Sequence, residues 1–153
     1  FKQDASFCPA PGLTPGAAVL KAQHSGLCLS IAAGDTSDGG VVSQQACTGA
    51  PEQTWTPTAG NGGTAYVNKA SGKCLDLSLL KPPAAPGTPI AQWVCNGGTN
   101  QAWTARAQNG GNALVSVNNA GLCVDVWGGS TAPGAVTAAW TCHGGGNQTF
   151  LSQ

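Results

Sequence analysis

Three copies of one nine-residue pattern constrain this chain more than anything else in it. CNGGTNQAW runs from Cys95 to Trp103, CTGAPEQTW from Cys47 to Trp55, and CHGGGNQTF from Cys142 to Phe150. In each, a Cys is followed six positions later by Gln and two further on by a large aromatic. The glutamines stand at 53, 101 and 148, a period of 48 and then 47 residues. Such a period marks a supersecondary unit used three times, each copy burying an apolar face that it cannot bury alone. The units, about 17–60, 61–109 and 110–153, fill the chain behind an arm of residues 1–16 and predict one domain.

The cysteines follow the same period. Cys28 and Cys47 lie 19 apart, Cys74 and Cys95 lie 21 apart, and Cys123 and Cys142 lie 19 apart. Three disulfides within the repeats are the economical reading, each closing a loop worth about 3 kcal/mol in the chain-entropy model. Zinc is the alternative, but no Cys-x-x-Cys pair occurs, and His24 and His143 belong to different repeats. Seven cysteines in 153 residues point to an oxidising compartment and a secreted protein. The opening FKQDASFC suits a mature terminus left by signal cleavage. Cys8 is left without a repeat partner, so a disulfide-linked homodimer through Cys8, or a bond to another chain, is expected.

Charge excludes several partners. Charged residues are 8% of the chain, against roughly a quarter in ordinary soluble proteins, and the six Lys and Arg are scattered. No basic patch is available for nucleic acid or an anionic membrane surface. No apolar run approaches the ~18 residues of a membrane-spanning helix.

Between the cysteines the chain reads as short strands and turns. CLSI, CLDL and CVDV alternate with period two, as half-buried strands do. VVSQQAC, PIAQWVC and AVTAAWTC follow after loops rich in Gly, Pro, Ser and Asp, and a last strand is expected to begin at QTW, QAW and QTF. GNGG at Gly60 and NGGN at Asn109 join the units as hairpin turns. GNGGTA resembles a dinucleotide loop only loosely and precedes a strand, so it is read as a turn. Prolines 9, 11 and 15 oppose regular structure in the arm. Four strands per unit make twelve, and an all-β protein.

Three Q-x-W/F elements (Gln53/Trp55, Gln101/Trp103, Gln148/Phe150), the paired cysteines, and the G-x-C-[LV]-D-[LV] strands at Cys74 and Cys123 resemble the ricin B-chain type of β-trefoil. That is the fold of many lectins and of family 13 carbohydrate-binding modules. The resemblance covers everything except the arm. It implies pseudo-threefold symmetry, with Trp55, Trp103 and Phe150 in the core rather than against sugar.

It also implies where sugar is held. A sugar offers hydroxyls that donate and accept, and an apolar C–H face. Its site therefore needs a carboxylate, an amide and an aromatic ring. By the resemblance these are Asp76, Trp93 and Asn100 with Gln101 in the second repeat, and Asp125, Trp140 and Asn147 with Gln148 in the third. The family often has a Gln two residues before the ring; here Ala91 and Ala138 stand there, with Gln92 as a substitute source of that hydrogen bond. The first repeat has Ser30, Gln45 and Glu52 at the three positions and is read as having no site.

Trp127 is read evenly as a secondary platform or a residue packed under its loop, and His143 as a solvated loop residue ahead of one that borders the third site. Asn147-Gln148-Thr149 is formally a glycosylation sequon, but a glycan there would block the third site. Catalysis finds little support: Glu52 is the only Glu, and Asp76 and Asp125 belong to different lobes, too far apart for the ~5–10 Å carboxylate pair of a glycosidase. The expectation is a non-catalytic lectin for galactose-type sugars or related plant polysaccharide residues, with neither cofactor nor metal. A β-trefoil protease inhibitor acting through the KPPAAPG loop is the alternative.

Overall fold

The computed structural model describes residues 18–152. The arm and Cys8 lie outside the described residues. Twelve short strands run in chain order: β1 (Leu20–Ala22), β2 (Cys28–Ile31), β3 (Gly40–Gln45), β4 (Trp55–Ala59), β5 (Thr64–Asn68), β6 (Cys74–Leu77), β7 (Ile90–Trp93), β8 (Trp103–Gln108), β9 (Gly111–Ser116), β10 (Leu122–Val126), β11 (Thr137–Thr141) and β12 (Phe150–Ser152). Among the described residues the only helical elements are single 3-10 turns.

Six strands close into a barrel. β4 pairs with β5, β5 with β8, β8 with β9, β9 with β12 and β12 with β1. A bridge from Val19 to Thr54 returns the ring to β4. Closure pairs each of these six strands on both sides, so the barrel itself has no free edge. The hairpins β2–β3, β6–β7 and β10–β11 cap one end of this barrel. This is the β-trefoil.

The repeats interlock through one device used three times. Gly39, Gly87 and Gly134 each donate a backbone N–H to the carbonyl of Gln92, Ala139 and Gln44, on the third strand of a neighbouring repeat. All three have left-handed φ (86°, 95° and 89°), where a side chain would be strained. Gln44 and Gln92 reinforce two of these seams. Gln44 donates to the Ser130 and Ala132 carbonyls, and Gln92 to the Asp35 carbonyl. Neighbouring repeats are therefore tied through their loops as well as through the core.

Period-two alternation on the cap hairpins sets the two faces. Leu29, Ile31, Val42, Leu75, Leu77, Ile90, Val124 and Val126 point inward and join Trp55, Trp103 and Phe150 in one buried cluster. Burying each large aromatic contributes on the order of 2–3 kcal/mol. The indole N–H groups are satisfied too: Trp55 donates to the Leu29 carbonyl and Trp103 to the Leu75 carbonyl, both at 3.1 Å. The core role expected of these aromatics stands.

The last strand of each unit begins at the aromatic, two residues later than the expected Gln. Each Gln instead closes a 3-10 turn (Pro51–Gln53, Thr99–Gln101, Gly146–Gln148). The reason lies in its amide. Gln53 Oε1 accepts the Thr48 N–H and Nε2 donates to the Ala46 carbonyl, pinning the loop after the second Cys. Gln101 and Gln148 do the same with Asn96 and Val94, and with His143 and Thr141. Disulfides Cys28–Cys47, Cys74–Cys95 and Cys123–Cys142 anchor the start of those loops, each with Cα atoms 5.1 Å apart. All three are within the chain and lend no support to a dimer linked through Cys8.

Candidate functional site

The outward face of β6–β7 carries Asp76 opposite Ala91, and Cys74 opposite Trp93. That of β10–β11 carries Asp125 opposite Ala138, and Cys123 opposite Trp140. A short side chain opposite each carboxylate leaves a hollow above it. Asp76, Trp93 and Asn100 line one cleft with Ser78, Leu79, Leu80 and Asn96, and Asp125, Trp140 and Asn147 line another with Trp127, Gly128, Gly129 and His143. Both predicted trios come together.

The carboxylates are not the surface groups that the chain's polarity suggests. Asp76 is 4% exposed and Asp125 3% exposed. Each is held from behind by two amides. Asn100 Nδ2 and Gln101 Nε2 donate to Asp76 Oδ2 at 3.2 and 2.9 Å. Asn147 Nδ2 and Gln148 Nε2 donate to Asp125 Oδ2 at 3.1 and 2.8 Å. The second hydrogen of each Asn amide goes to a carbonyl, Leu77 or Val126. With both partners acceptors, the amide can point only one way.

Two expectations change as a result. Gln101 and Gln148 are buried with every amide group in use, so they set the carboxylates in place and have no polar group left over. The Asn residues have no N–H left to give a sugar. Among the described residues no donor reaches Oδ1 of either Asp or either Asn, so each cleft offers acceptors for ligand hydroxyls. Gln92 is no substitute for the missing glutamine either. It lies beside Leu75 on the inward face and is wholly buried, with Oε1 unpartnered.

Burial dominates the electrostatics. It pushes Asp76 up to about 6 against the opposing bonds from Gln101 and Asn100, and Asp38 adds repulsion. Asp38 comes from the first repeat, where it accepts the Val94 N–H at 2.9 Å and meets Lys73 at 3.1 Å. Burial raises Asp125 as well, opposed by Gln148, His143, Asn147 and His24. His143 stays an exposed loop residue, as expected, and it also lines the third cleft. Its Nδ1 accepts the Gly145 N–H, which puts the neutral ring's proton on Nε2, 3.6 Å from Asp125 Oδ2. Trp127 is also resolved. It is 47% exposed, lines the cleft, and meets Trp140 edge-on with centroids 5.5 Å apart, so it is not packed under its loop.

One requirement of the site escaped the sequence reading. A Cβ on Gly98 would come 2.5 Å from Asn100 Oδ1, and one on Gly145 would come 2.9 Å from Asn147 Oδ1. The first repeat, with Glu52 in place of the Asn, has Ala50 at that position. The signal was the contrast of CNGG and CHGGG with CTGA. In that repeat Ser30 Oγ turns back to the Ile31 carbonyl and Gln45 bonds Ser43, and no carboxylate faces outward where Asp76 and Asp125 do.

The family model for the ricin-type beta-trefoil lectin domain matches residues 17–150. ThreeFoil, a designed threefold symmetric protein, is 32% identical, with 90% of this chain and 97% of that one covered and a TM-score of 0.82. An exo-beta-1,3-galactanase from Clostridium thermocellum is 27% identical over 91% of this chain, with a TM-score of 0.82, and the match spans only 30% of that enzyme. The ricin B-like lectin of Macrolepiota procera, solved with lactose, shares the fold at 16% identity, with 92% and 97% of the two chains covered and a TM-score of 0.77. No curated protein matches the sequence at a significant level. Fold, repeat motif and family match agree: this chain belongs to the ricin-type β-trefoil lectin family.

Proposed function

We propose that this chain is a non-catalytic, secreted carbohydrate-binding protein that takes galactose-type sugars in the clefts of its second and third repeats. The observation that carries the reading is the pair of fixed acceptor sets. In each, a buried carboxylate is oriented by two amides beside a tryptophan, half-buried at Trp93 and exposed at Trp140. Orienting an acidic group while leaving Oδ1 unbonded is costly unless a donor arrives from outside. Sugar hydroxyls are such donors, and the tryptophan ring suits the C–H face that lies beside them.

Galactosides lead because of the family resemblance and because the galactanase, the most similar natural structure named above, acts on a galactose polymer. Lactose and related plant polysaccharide residues are the natural probes. Three intrachain disulfides support an oxidising location, and no helix among the described residues is long and apolar enough to cross a membrane. The inhibitor alternative draws little from its loop. Ala84 of KPPAAPG is buried in the core cluster, and Ala85 and Thr88 bond each other, so the loop is tied down where an inhibitor needs an extended, presented segment.

The test is a glycan array followed by calorimetric titration of the hits. Galactose-terminated glycans should bind with about two sites per chain, and Asn100→Ala should leave about one. A correctly folded chain that binds no glycan, or that keeps full stoichiometry after Asn100→Ala, would overturn the proposal.

A further inference from the structure

The two clefts share a floor but differ in one wall. Ser78 and Trp127 occupy the same place, two residues beyond the carboxylate. Their backbones confirm it, since Ser78 N donates to the Pro89 carbonyl and Trp127 N to the Val136 carbonyl, both at 3.0 Å. In the second repeat this position is a small hydroxyl, and the flank is aliphatic Leu79 and Leu80. In the third it is an indole. The third cleft measures ≈ 470 Å³ and the second ≈ 230 Å³, with a separate hollow of ≈ 430 Å³ beyond Ser78 and Leu80 that no aromatic ring lines.

The angle between the two indoles limits what that extra wall can do. Trp127 and Trp140 stand at 87° to one another, both lining the cleft, 47% and 40% exposed. A pyranose has one flat C–H face and can lie against one such ring at a time. Two parallel rings would sandwich a single sugar, but two perpendicular rings cannot. Trp140 holds the cross-strand position that Trp93 holds in the second repeat, so it receives the unit whose hydroxyls reach Asp125 and Asn147. The face of Trp127 is left for whatever projects from that unit. Gly128 and Gly129 continue the wall without side chains, and a Cβ on either would meet nothing within 4 Å. Space for a second unit is therefore open beside Trp127 as well as walled by it.

We propose that Trp127 is a specificity-determining residue that gives the third site a second subsite, so that this site prefers a disaccharide or substituted glycoside while the second site reads a single terminal sugar. This inference rests on the sugar-binding reading above. Burial of part of an indole face against a second pyranose is worth on the order of fivefold to tenfold in affinity.

The experiment isolates the third site with Trp93→Ala, then titrates two pairs of probes, galactose with lactose and xylose with xylobiose. For the pair that binds, the disaccharide should bind on the order of fivefold to tenfold more tightly than the monosaccharide. Adding Trp127→Ala should bring that ratio to about one, and Trp127→Phe should keep most of the preference. In the complementary chain, with the third site removed by Trp140→Ala, the ratio should be near one from the start. A ratio that Trp127→Ala leaves unchanged, or a parent ratio near one, overturns this inference while leaving the sugar-binding reading intact. Absence of binding to all four probes by the unmutated chain overturns that reading, and this one with it.

Discussion

The first repeat and the two that follow share a scaffold and part company at the site. In all three a Gln pins the loop behind the second Cys, and a large aromatic then enters the core. Only where an Asp stands on the cap strand does the Gln Nε2 find a second acceptor, at Asp76 or Asp125. The Q-x-W/F element is thus a structural device that a site borrows. Residues that hold the fold repeat three times, and residues that line the two clefts repeat twice.

This division is breakable at its strongest point. Trp55→Ala and Trp103→Ala should each cost about 3–5 kcal/mol in chemical denaturation, alike in the repeat without a site and the repeat with one. A Trp55 variant much milder than its counterpart would show the first repeat to be a lesser structural unit. Next in size are the disulfides. Replacing Cys28 and Cys47, or Cys74 and Cys95, by serine should cost about 3 kcal/mol per pair, again with little difference between repeats.

Asp76→Ala then separates scaffold from site. It strands one N–H on Asn100 and one on Gln101, so it should cost about 1–3 kcal/mol as well as removing one binding site. A surface carboxylate would have cost nothing, and the burial of Asp76 is why that simpler expectation fails. Ser30→Ala at the matching place should stay within about 0.5 kcal/mol with binding stoichiometry unchanged. Asp76→Asn keeps the acceptor oxygen without the charge and should recover most of the stability. If Asp76→Ala melts like the parent chain, the amide cradle is not holding the carboxylate as described.

The threefold frame was legible because period, cysteine spacing and aromatic position are one-dimensional facts. The trios Asp76/Trp93/Asn100 and Asp125/Trp140/Asn147 were legible through the same register. What stayed hidden depends on direction and on contacts between repeats. Gln92 looked available beside Trp93, yet alternation along β7 turns adjacent side chains to opposite faces. His143 is the exposed loop residue it looked, but nothing local says that residue 143 curls back toward residue 125. Its equivalents Asn96 and Thr48 accept the same N–H two residues on, so the turn explains the ring's position and the site merely inherits it. The glycine requirement at Gly98 and Gly145 arises from a contact two residues away, invisible until the Asn side chain is placed.

The smallest effect is the most specific comparison of the two sites, and it concerns pH. Asp76 has a folded value of about 6 against an ordinary 3.8, raised chiefly by burial. Because the folded value is the higher one, its protonation favours the fold: that contribution is full below about pH 4 and is lost as pH rises through about 6. Binding runs the other way. Ligand hydroxyls need the ionised acceptor, so the second site should hold above pH 6 and weaken below it, by about tenfold between pH 7 and pH 5. Asp125 is also raised by burial, but His143 and His24 both favour its ionised form. The third site should therefore keep its affinity to lower pH than the second. Titration of the two single-site chains, Trp140→Ala for the second site and Trp93→Ala for the third, at pH 5 and pH 7 measures each in isolation. His143→Ala in the Trp93→Ala background should move the third site's pH profile toward that of the second. Equal losses in the two chains, or a third-site profile indifferent to His143, would mean that the neighbouring imidazole does not govern the carboxylate it faces.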